Sequence, residues 1–124
     1  MAPMEVSRFV EMAQSGSLSP SALPELIRIA REEGGKASSV AVHLIGTLAA
    51  EAAEAVPCLV ELLRKHREDA FGRTVARTLG SIGLPAEQAA PELRLAMHSQ
   101  NKRVRKAARE ATRRIEAERG DPWE

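Results

Sequence analysis

Aromatic side chains are almost missing from this chain of 124 residues: Phe9, Phe71 and Trp123 are the whole set, and there is no tyrosine. That scarcity argues against a β-sandwich, where aromatic and β-branched residues are enriched. It also argues against a platform for stacking nucleobases. The single cysteine, Cys58, excludes an intrachain disulfide and a secreted, disulfide-stapled fold. No long apolar run is present. Residues 1–13 carry Glu5, Arg8 and Glu11 among their apolar positions. They read as neither a signal peptide nor a membrane span, so a cytoplasmic protein with no membrane partner is expected. Charge of one sign is also lacking. Lys and Arg number 18 against 17 Asp and Glu, a net charge of +1.

The groups that make reaction centres are equally sparse. His43, His66 and His98 have no metal-ligand spacing, and no Cys/His cluster could hold zinc. No glycine-rich phosphate loop is present, and no nucleophile, base and orienting carboxylate can be matched. Cys58 follows Pro57 in the first turn of a helix, where a thiol pKa can be lowered. Its repeat counterparts are Glu25 and Glu92, which predicts an outward or groove-edge position. The expectation is a chain without catalytic residues, cofactor or metal.

What is present is a repeat. Leu23-Pro24-Glu25-Leu26-Ile27, Val56-Pro57-Cys58-Leu59-Val60 and Ala90-Pro91-Glu92-Leu93-Arg94 align, with prolines 33 and 34 residues apart. A second landmark keeps the same period: Leu44-Ile45-Gly46 with Leu48, Thr78-Leu79-Gly80 with Ile82, and Ala111-Thr112 with Ile115. Two landmarks with one period indicate three tandem units, and stacked units bury a continuous core.

Each unit reads as two helices. Leu59, Val60, Leu62 and Leu63 mark one apolar face, and Phe71, Thr74, Val75, Thr78, Leu79 and Ile82 mark the next. The prolines sit near helix starts, where backbone N–H groups lack intrahelical partners. Gly34-Gly35 and Gly83 end helices. Asp69, and Ser99 or Asn101, are candidate N-caps. The pattern predicts helices over 4–14, 20–33, 37–50, 52–66, 70–82, 86–98 and 102–118. In the first of these, Val6, Phe9, Val10 and Ala13 share a face that could cover the open end of unit one. Central residues Leu59, Leu63, Val75, Leu79 and Ile82 should be buried. The expected fold is therefore all-α. It is an α-solenoid of three helix pairs, about 20–50, 52–83 and 86–118, with an N-terminal capping helix. These make one domain over 1–118, followed by a tail over 119–124.

An Ala or Val before proline, then Leu, then a second helix with paired small residues, Leu-Gly and Ile, is a pattern that resembles the HEAT repeat. The likeness is greatest to short bacterial HEAT-like repeats of the kind also seen in phycobilin lyases, and it covers about residues 20–117. Val104-Arg105, Ala107-Ala108, Ala111 and Ile115 match closely. The Trp and Tyr signature of tetratricopeptide repeats and the Thr-Pro-Leu-His turn of ankyrin repeats are absent. The resemblance implies a binding scaffold whose second helices line a concave surface. Family members often join repeats by a ladder of Asp in the turn and Arg early in the second helix. Here Arg105 fits, but Ser38 and Gly72 occupy the matching positions and the turns hold no matching Asp. Nonpolar stacking is therefore expected to hold the units together.

Charge is uneven along the chain. Residues 1–63 hold 4 Lys+Arg against 8 Asp+Glu, and residues 64–124 hold 14 against 9. In the repeat alignment, the rows Ser39–Arg73–Lys106, Val42–Ala76–Arg109, His43–Arg77–Glu110 and Gly46–Gly80–Arg113 turn away from the expected core. By the resemblance, Arg73, Arg77, Lys106, Arg109 and Arg113 would project from the concave side, with Val42 and Ala76 as an apolar strip. The partner this suggests is an acidic segment of another protein. Three alternatives stay open on sequence alone. Seven of the thirteen residues over 102–114 are Lys or Arg, which fits phosphate-backbone contact with nucleic acid. The acidic front half and basic back half of two copies could associate head to tail. The basic rows could also be a solvated helix face.

Overall fold

The computed structural model describes residues 2–120, the first four as backbone only. Trp123 and the end of the 119–124 tail lie outside the described residues. Seven α-helices follow one another with no strand among the described residues. They are α1 (Ala2–Gln14), α2 (Leu23–Glu32), α3 (Gly35–Thr47), α4 (Val56–Lys65), α5 (Ala70–Ile82), α6 (Ala90–Ala96) and α7 (Lys102–Arg119). The pairs α2/α3, α4/α5 and α6/α7 stack in chain order, and each unit packs on its neighbour. The fold is an all-α solenoid. Helix α1 packs on α3 and α2, with Val6 and Phe9 buried and Val10 and Ala13 half-buried, so it covers the open end of the first unit. The second helices α3, α5 and α7 pack on each other more closely than α2, α4 and α6 do.

The first helices begin later than their apolar pattern predicts. Each is entered through a 3-10 segment: Pro20–Ala22, Ala49–Ala55 and Leu84–Ala89. The physical reason repeats with the sequence. Pro24, Pro57 and Pro91 lie at the first or second helical position and have no N–H to give to a carbonyl four residues back. The residue just before each proline bonds three residues back, to Pro20 O, Ala53 O and Glu87 O, which keeps the approach in the tighter 3-10 form.

The central unit is buried as its pattern predicts: Leu59, Leu63, Val75 and Leu79 are 0% exposed and Ile82 1%. Helix α5 opens on Asp69, whose Oδ1 accepts from the Phe71 N–H at 3.0 Å. It closes on Gly83, with φ 80° and its N–H on the Leu79 carbonyl. Asn101 rather than Ser99 caps α7, accepting from the Arg103 and Val104 N–H groups at 3.0 and 3.2 Å.

Nonpolar stacking does not act alone between units. The Ser99 hydroxyl donates to the Arg67 carbonyl at 2.6 Å, and the Gln100 N–H donates to Glu68 Oε1 at 2.8 Å. The Thr78 hydroxyl donates to the Val42 carbonyl at 3.1 Å, tying α5 to α3. Arg64 Nε meets Glu92 Oε1 at 3.2 Å, tying α4 to α6. Arg105 turns instead to carbonyls of its own unit, at Ser99 and Gln100. Thus polar links join the units through residues other than the Asp–Arg pair.

Candidate binding groove

A cleft of about 640 Å³ runs between α5 and α7. Arg73, Arg77 and Ser81 line it from α5, and Arg103, Lys106, Glu110 and Arg114 from α7. Gly80, Ala107 and Ala111 complete the lining. Helical phase accounts for the α7 wall. At about 100° per residue, positions 103, 107, 110 and 114 share one stripe. The buried residues Val104, Ala108, Ala111 and Ile115 share the next. The small residues let the two helices approach, and their long neighbours rise on either side.

The cations of this cleft differ from those of the first-helix layer. There, Arg28 pairs with Glu25 at 2.7 Å, Arg31 with Glu61 at 4.0 Å, and Arg64 and Arg67 with Glu92 at 3.2 and 3.8 Å. Arg73, Arg77, Arg103, Lys106 and Arg114 make no ion pair or side-chain hydrogen bond among the described residues. Glu110 is the one carboxylate in the lining. Five cations thus share one cleft with one acid.

Of the residues the repeat alignment selects, Arg73, Arg77 and Lys106 come together in this cleft. Arg109 and Arg113 do not line it. They are exposed and lie roughly 120° and 80° around α7 from the cleft stripe. The strip of Val42 and Ala76 is a correction: both are 0% exposed, packed into the core. Gly80 is buried as well. Row-by-row alignment missed Arg103 and Arg114, and it set Glu110 in an outward row without choosing it for the site. Their spacing, with Lys106, as one stripe along α7 was the available signal.

A second cleft of about 510 Å³ lies between α3 and α5 and shares Arg77 and Ser81 with the first. Cys58 lies in neither. It is 3% exposed, in the first-helix layer, which corrects the expectation of an outward position. Burial pushes its thiol pKa up, while the nearby Arg31 guanidinium pulls it down. Desolvation wins over the helix start because the side chain is packed and not facing water.

Among the described residues, no helix is long and apolar enough to cross a membrane. A family model described as HEAT repeats matches residues 23–113. No curated protein sequence matches the chain, and no solved structure does.

Proposed function

The chain belongs to the HEAT-repeat family, and from that premise we propose that it is a non-catalytic scaffold that holds an acidic segment of another protein in the α5–α7 groove. HEAT repeats are in general scaffolds for protein interaction. One observation supports the acidic partner: Arg73, Arg77, Arg103, Lys106 and Arg114 share a single cleft with no acidic partner of their own. Charges of one sign in a concave, low-dielectric wall focus their field and raise the encounter rate of an opposite charge. The closer packing of the second helices is consistent with their side being the inner curve of the stack, as in the family. The reducing cytoplasm fits a chain whose lone thiol is buried.

Nucleic acid is the less favoured occupant. No aromatic side chain on which a base could stack lines the groove. Arg109 and Arg113, which add to the basic run in sequence, point elsewhere.

Fluorescence anisotropy with a glutamate-rich peptide and, separately, a single-stranded oligonucleotide tests the proposal. The peptide should bind with strong salt dependence. Reversing Arg77 and Lys106 to Glu should weaken it at least about tenfold, a loss of about 1.4 kcal/mol. Reversing Arg109 and Arg113 should change it far less. Equal effects from the two double variants would remove the groove as the site. Tighter binding of the oligonucleotide than of the peptide would reassign the partner.

A further inference from the structure

Building on the groove reading above, we infer that the bound segment carries a short apolar stretch beside its carboxylates, and that the two parts seat in adjoining clefts. Arg77 and Ser81 on α5 line both this cleft and the one between α3 and α5, so the two clefts adjoin across α5. The chemistry changes across that boundary. Over α5–α7, five cations stand along the wall. Over α3–α5, the wall is mainly apolar, with Val40, Gly46, Thr47 and Thr74 among its lining. Apart from the shared Arg77, its titratable residues are Lys36 and His43. Val40 and Thr74 are half-buried, so they still have surface to cover. A carboxylate placed there would meet fewer cations than over α5–α7. A small aliphatic side chain would gain contact with Val40 and the threonine methyls. Packed helices lie about 8–10 Å apart. Three second helices therefore span about 20 Å, the reach of roughly six to eight extended residues. One short segment can thus cover both clefts, acidic over α5–α7 and apolar over α3–α5.

Two labelled octapeptides separate this inference from its parent reading. One joins four glutamates to four leucine or alanine residues, and the other joins four glutamates to four serines. The full chain should bind the mixed peptide about tenfold more tightly than the serine peptide, about 1.4 kcal/mol. Val40→Thr and Val40→Asn change no charge and should erase most of that preference while leaving the serine peptide unaffected. Equal affinity for both peptides would overturn the apolar half and leave the basic groove standing. Binding of neither would overturn both readings. Circular dichroism of the Val40 variants checks that the fold is kept, and the nearly isosteric threonine serves if asparagine disturbs it.

Discussion

Gly80 on α5 and Ala111 on α7 meet so closely that a Cβ added to Gly80 would stand 3.0 Å from the Ala111 Cα and 3.1 Å from its Cβ. The equivalent contact one unit earlier is looser and softer. A Cβ on Gly46 would stand 3.3 Å from the Thr78 hydroxyl oxygen, a side-chain atom. Both contacts lie where adjacent second helices form the walls of the clefts.

Gly80→Ala is therefore expected to destabilise the protein. Alanine would favour the helix by about 1 kcal/mol. Pushing two backbones apart costs about 1–3 kcal/mol in a packed core, and the net loss should be roughly 1 kcal/mol. Gly46→Ala should lose clearly less, since the opposing atoms belong to a side chain. Urea denaturation of the two variants side by side decides the order, and a larger loss at Gly46 would contradict it.

Ala49 has a φ of 52°, in the left-handed region, where the repeat-equivalent residue Gly83 has 80°. An L-residue with a Cβ is strained there by about 1–2 kcal/mol. Ala49 is exposed, so removing its methyl gives up little packing. Ala49→Gly should raise stability by about 0.5–1 kcal/mol, after the extra chain entropy of glycine is counted. Thermal unfolding should show a higher midpoint, and a lower one would contradict the strain.

The Glu92 carboxylate is nearly buried between Arg64 and Arg67, and its Oε2 has no hydrogen-bond partner among the described residues. Desolvation of an ion pair can offset its attraction, so Glu92→Met should be neutral or stabilising within about 1 kcal/mol. The double variant Arg64→Ala/Arg67→Ala leaves the acid in place without its cations. It should destabilise by about 1–3 kcal/mol, less than for a fully buried pair because both arginines are partly exposed. Denaturation at neutral pH compares them, and a costlier Glu92→Met would reverse the argument.

Burial raises the Cys58 pKa in the folded state, so folding favours the protonated thiol. That contribution is fully present below the ordinary thiol value, about 8.5, and is lost as pH rises through the higher folded value. Wild-type stability should fall relative to Cys58→Ala as pH climbs through this range. A thiol reagent should label the native chain far more slowly than the denatured chain. Equal labelling rates would place Cys58 at the surface.

Much of the architecture was legible in the residues. Prolines and the Leu-Gly landmarks at one period marked the units, because each unit must bury the same face. Asp69 and Gly83 marked helix ends, because each satisfies a backbone group the helix leaves open. The 3-10 entries were not legible in the apolar pattern, since Ala52, Ala55, Ala86 and Ala89 are buried in those segments as they would be in a helix.

The candidate groove was only half legible. Helical phase places a residue around its own axis, and that was enough to turn Arg73, Arg77 and Lys106 away from the core. It does not say which sectors the neighbouring units cover. That depends on the rotation between stacked pairs, which is decided by contacts such as Gly80 with Ala111. Stacking buried Val42, Ala76 and Cys58, where single-helix reasoning left them at the surface. It also left Arg109 and Arg113 out of the groove and brought Arg103 and Arg114 into it. Sequence alone determined the units and their helices, which rest on local periodicity. Tertiary structure alone decided the walls of the groove, because a wall is made by two helices at once.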